Sequence, residues 1–208
     1  MGSGGMVTAS AGGSGGGPAL TGCAANPANL IANCSFETPV VDPGGYQTFG
    51  VGTTFEGWNV VGGFGNVAVM SGSFADRGFT WSAHDGAQMV DLTGVWGTNG
   101  GVSTANSMTT GVAQTVATTP GANYHLSFWI GNVVDVNGIY GVYSAVRVMV
   151  NGIEVTLPQN NDGDTTLVWD QFTFDFMATD TSTTIGFVNG DSVIDNSNVV
   201  DDIELTQM

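Results

Sequence analysis

The stretch DQFTFDFMAT (170–179) puts Phe172, Phe174 and Phe176 on one side of an extended chain. Gln171, Thr173 and Asp175 fall on the other. The same period of two recurs in NVAVMSG (66–72), AQMVDLTG (87–94), GVAQTVATTPG (111–121) and NYHLSFWIGN (123–132). It returns in SAVRVMVNG (144–152), STTIGFVNG (182–190) and NVVDDIELTQ (198–207). Between these runs stand turn pairs: Pro43-Gly44, Pro120-Gly121, Asn151-Gly152 and Asp162-Gly163. Helical periodicity is nearly absent, and Lys and Glu, which favour helices, are missing or scarce. Eight to ten short strands between tight turns predict an all-β fold, a two-sheet antiparallel β-sandwich of jelly-roll type. At 208 residues and 42% hydrophobic content the chain has enough material for one such core.

Charge narrows the partners. The chain has 18 acidic residues, no lysine, and two arginines, Arg77 and Arg147, for a net charge of −16. Such a chain is not expected to bind nucleic acid, whose phosphates need clustered Lys and Arg, nor an anionic membrane surface. No stretch reaches the ~18 apolar residues of a membrane span. An acidic surface favours solubility and, where carboxylates converge, hard cations such as calcium.

The two cysteines, Cys23 and Cys34, stand eleven positions apart. They read as a disulfide formed in an oxidising compartment, or else as two buried thiols. Residues 1–22 form a glycine-rich segment without a charged side chain, read as a leader, tag or assembly arm, and 23–208 as the β-sandwich domain.

Taken in order, NLIANCSFETP (29–39), FEGWNV (55–60), HDGAQMVDLTG (84–94) and the closing VVDDIEL (199–205) carry a resemblance. The chain resembles the galactose-binding-like jelly rolls over about residues 29–206. It is most like the secreted domain-of-unknown-function family of plant cell walls and bacterial exported proteins, and is similar to xylan- and glucan-binding modules. The resemblance implies a structural Ca2+ held by Glu37 from the opening motif and Asp201, with Asp202, from the closing one. It also implies that first and last strands lie side by side. Cys34 stands where such relatives place glycine, and a disulfide to Cys23 would tie the leader to the domain there.

Of the five tryptophans, Trp58 and Trp169 are expected in the core and Trp129 on either face of its strand. Trp81, Trp96 and Tyr140, in glycine-rich loops, are expected at the surface, and with Arg77 and His84 they form the candidate ligand-binding set. No G-x-S-x-G elbow, H-E-x-x-H helix or phosphate-cradling loop occurs, so no catalytic residue is assigned and the chain is expected not to be an enzyme. Two readings follow. One is a secreted or cell-surface module that binds a polysaccharide or cell-surface glycan. The other is a self-assembling subunit of an extracellular filament, sheath or surface layer, in which the leader strand MVTASAG (6–12) adds to the sheet edge of another copy.

Overall fold

The structure is a computed structural model that describes residues 21–95, 109–136, 138–191 and 197–208. Residues 1–20 of the leader and Trp96 lie outside the described residues. A single helical turn, α1 (Gly22–Ala25), precedes the strands. These are β1 (Tyr46–Gly50), β2 (Thr54–Phe55), β3 (Trp58–Val61), β4 (Asn66–Ser71), β5 (Ala75–Asp76), β6 (Phe79–Thr80), β7 (Gln88–Asp91) and β8 (Gly111–Ala117). They continue as β9 (Asn123–Asn132), β10 (Ser144–Val150), β11 (Ile153–Thr156), β12 (Gln159–Asn160), β13 (Val168–Met177), β14 (Ser182–Asn189) and β15 (Val199–Gln207).

Two antiparallel sheets face each other, as expected. One runs β1-β4-β7-β15-β9-β13 and the other β11-β10-β14-β8-β3-β2, with β12 paired to β10. Alternation decides what lies between them. Phe128, Ile130, Val200 and Leu205 from the first sheet meet Trp58, Val112, Ile185 and Phe187 from the second in one buried core. Trp58 is fully buried there, and its indole N–H donates to the Asn33 carbonyl. The phenylalanines of β13 point into this core but remain half-buried, because β13 is the sheet's last strand.

β4 and β7 depart from simple alternation: all their residues are buried. Val67, Val69 and Val90 serve the sandwich core, whereas Ala68, Met70 and Met89 serve a second cluster on the outer face of the same sheet. The β5–β6 hairpin and its flanks cover that face with Phe74, Phe79 and Trp81, joined by Tyr140 from the loop before β10. Trp169 belongs here too: it is half-buried against this second cluster rather than in the sandwich core, with its indole N–H on the Ser82 carbonyl.

The opening motif is not a strand. Residues 29–39 form turns, with Asn33 and Phe36 at positive φ. The first strand, β1, pairs with β4 at the sheet edge and does not touch β15. The turn segment runs along β15 instead: Leu30 N–H donates to the Leu205 carbonyl and Ile203 N–H to the Cys34 carbonyl. A strand beside the last one was expected here only from the resemblance. The Asn29 side chain ties the segment to β15 as well, donating to the Ile203 carbonyl and accepting the Leu205 N–H.

Candidate functional site

The outer cluster encloses a cavity of about 410 Å³ on the face of the first sheet. Its walls are Tyr46 from β1, Phe74 before the hairpin, Trp81 after it and Tyr140 from the loop before β10. The rings meet at angles: Tyr46 edge-on to Phe74 at 5.9 Å, and Trp81 edge-on to Tyr140 at 5.0 Å. This geometry is favourable for aromatic pairs. Trp81 is 2% exposed and its indole N–H donates 2.7 Å to the Ser197 hydroxyl, so it is a wall of the cavity and not the surface residue expected. Tyr140 is likewise nearly buried and donates its hydroxyl to Asp76. Tyr46, 43% exposed, is the ring at the mouth.

Polar groups enter from two sides. From the β5–β6 turn come Asp76 and Arg77, with the guanidinium Nε 3.4 Å from the Asp76 carboxylate. From the sheet comes Asp91, on the side of β7 that faces the cavity. Its register partners are Ala68 on β4 and Val199 on β15. It is 8% exposed, and its Oδ1 accepts the N–H of Thr93 at 2.9 Å and the Thr93 hydroxyl at 2.6 Å. Thus Trp81, Tyr140 and Arg77 do converge on one cavity. Tyr46, Phe74, Asp76 and Asp91 were missed, because hairpin folding and sheet register, rather than sequence proximity, bring them there.

His84 is elsewhere. Its ring stacks on Trp129 with centroids 3.8 Å apart, which places Trp129 on the outer face, and its Nδ1 lies 3.0 Å from Asp202 Oδ2. The loop carrying it, residues 84–87, with the start of β7, is where the expected cation ligands go. Asp201 Oδ2 accepts the N–H groups of His84 and Asp85 at 2.9 and 3.1 Å, and its Oδ1 accepts that of Asp202. Glu37 Oε1 accepts the N–H groups of Ala87 and Gln88 at 2.8 and 2.9 Å. A Cβ on Gly86, which has φ of +67°, would collide with the Glu37 carboxylate. A register shift in β15 between Asp201 and Glu204, with Asp202 at positive φ, lets two consecutive acids serve the same loop.

These contacts engage the carboxylates expected around calcium. Oxygens on one calcium at 2.3–2.6 Å lie within about 5 Å of one another. Among the described residues the set of three ligand atoms that close is Cys23, Asp85 and Asp202, without Glu37 or Asp201. Cys23 is disulfide-bonded to Cys34 and offers no thiolate. Asp85 accepts the hydroxyls of Thr21 and Ser35, and Asp202 accepts the Cys23 N–H. Glu37, Asp201 and Asp202 thus do not together form a close set of three ligand atoms among the described residues. Asp201 and Glu37 grip opposite ends of the 84–87 loop, Asp201 at His84 and Asp85 and Glu37 at Ala87 and the first residue of β7. Burial pushes the Asp201 carboxyl well above the usual range. The three N–H bonds oppose that push, and the neighbouring Asp202 charge adds to it.

No protein-family model matches the chain, and no curated protein matches it. Solved structures do. A cyclase from Fischerella sp. TAU, in complex with 4-(1H-indol-3-yl)butan-2-one, is 18% identical over 86% of this chain and 98% of that one, with a TM-score of 0.57. The CBM22-1 xylan-binding domain of Paenibacillus barcinonensis Xyn10C is 14% identical over 81% of this chain and 97% of that one, with a TM-score of 0.45. The likeness to the cyclase is one of fold, an all-β sandwich.

Proposed function

We propose that this chain is a non-catalytic carbohydrate-binding module and that the cavity on the outer sheet face is its sugar site. The observation that carries the reading is the composition of that cavity. Rings at its mouth and wall present apolar faces to a pyranose, while Asp76, Arg77, Asp91 and Thr93 supply acceptors and donors for hydroxyl groups. A volume of about 410 Å³ lies within the range of small-ligand sites. The Cys23–Cys34 disulfide supports an oxidising, extracellular or cell-surface location. Calorimetric titration against a panel of soluble polysaccharides tests the reading, with Tyr46→Ala as the variant. Because Tyr46 is a rim residue, the fold should survive, and affinity should fall about tenfold, the loss of roughly 1–2 kcal/mol of apolar contact. A glycan that binds wild type and Tyr46→Ala equally well would remove the cavity from the account.

One observation favours the assembly reading as a second. The long edge strand β13 borders an apolar groove of about 220 Å³, where Ile153 and Met177 are 69% and 60% exposed. Another copy adding to that edge would cover both. Light scattering against concentration, with an Ile153→Lys, Met177→Lys variant alongside, tests it. A monomer at every concentration would end it.

A further inference from the structure

Resting on the assembly reading, we propose that β13 pairs antiparallel with β13 of a second copy, about a two-fold axis at Thr173, and closes a dimer rather than extending a filament. The free side of β13 sets the partner. Thr80 of β6 bonds the backbone at Thr165 and Leu167, and the Asn160 amide bonds the Val168 carbonyl. From Trp169 to Met177, β9 is the strand's one backbone partner among the described residues. The Ala178 N–H donates to the Ala122 carbonyl, and alternation from that bond decides which groups remain. Trp169, Gln171, Thr173, Asp175 and Met177 turn their N–H and C=O groups away from β9, toward the open edge. This row is about 30 Å long, and Thr173 is its midpoint.

The edge lacks the usual deterrents to such pairing, since neither proline nor lysine occurs along it. Opposed residues of an antiparallel pair share a face, so Asp170 and Asp175, on opposite faces, are never set against each other. With Thr173 on the axis, Asp175 faces the partner's Gln171, an amide donor, and Phe172 faces the partner's Phe174. Phe172, Phe174 and Phe176 are only half-buried in one copy, and Met177 is 60% exposed. Pairing covers the open halves of the rings and sets Met177 against the partner's Trp169. Moving the axis to a neighbouring residue leaves N–H and C=O groups unpaired at one end of each strand. Both copies use the same edge, so the contact closes at two. An interface of this length lies at the small end of specific ones, and two copies at −16 repel each other. The dimer is therefore weak, and salt strengthens it.

Sedimentation velocity of the full chain over a concentration series, at low and at high salt, reads the assembly. The expected result is a monomer–dimer equilibrium that ends at the dimer and tightens severalfold in high salt. Thr173→Cys reads the register. Residues bonded to each other across antiparallel strands have Cα atoms about 5.5 Å apart, within disulfide reach, so mild oxidation should give a covalent dimer that a thiol reductant splits. Gln171→Cys sets its two thiols about 13 Å apart along the strands and should crosslink at least tenfold more slowly. The native Cys23–Cys34 pair is buried and already oxidised, so it does not compete. Equal crosslinking at both positions, or wild-type particles that grow past the dimer, overturns the inference and leaves the assembly reading standing. A monomer at every concentration ends both. Should either cysteine variant fail to fold, sedimentation of the wild type still decides among closure, growth and monomer.

Discussion

Asp201, sealed among three N–H groups, links its ionisation to folding. Its folded pKa is raised, so the native chain holds this proton more tightly than the unfolded chain does. The associated stability is full below about pH 4, the unfolded value, and is lost as pH rises through the folded one. Comparing urea unfolding of wild type and Asp201→Asn across that interval should isolate this falling component, which the variant lacks. The variant should also be about 1–3 kcal/mol less stable, because an amide N–H₂ must face a backbone donor where an acceptor stood. A pH-independent difference between the two proteins would contradict this. Cys34 has a plainer role. With Cys23 it closes a short loop that holds α1 against β15, and replacing both by Ala should cost about 3 kcal/mol. That corresponds to a Tm lower by on the order of 8 °C in differential scanning calorimetry.

Among elements, the 84–87 loop has no regular structure, yet it is held from both ends of the chain, by Glu37 and by Asp201. Glu37→Ala leaves two N–H groups without their acceptor and should cost about 1–3 kcal/mol. The same variant should expose the loop to limited proteolysis at lower protease concentration than wild type; an unchanged cleavage pattern would mean that the grip on 87–88 is dispensable. The long strands were legible because each carries its own alternation and ends at its own turn pair: NYHLSFWIGN is β9 to the residue. β1, β5 and β6 were not. They are short, and they become strands only by pairing with neighbours whose positions follow from the fold. The opening motif, which the resemblance implied as a strand beside the last one, lies along β15 as turns.

At the scale of the molecule, charge and layering decide behaviour. With a pI near 4.1 and two arginines, the protein should lose solubility on titration toward pH 4 and regain it below, where the carboxylates become neutral and Arg77 and Arg147 leave a positive charge. Turbidity against pH checks this. The cavity was only partly legible because it belongs to this scale. Trp81, Tyr140 and Arg77 advertise themselves in glycine-rich sequence, whereas Asp91 looks like any polar residue in an alternating strand until a hairpin covers its face. Among the described residues that cover adds a third layer over β4 and β7. Amide protons there can reach solvent only after both the hairpin and the opposite sheet have let go. Deuterium should accordingly enter β13 first, at the open edge, and β4 and β7 last. Partial unfolding would then leave a protected remnant that is the floor of the binding cavity itself.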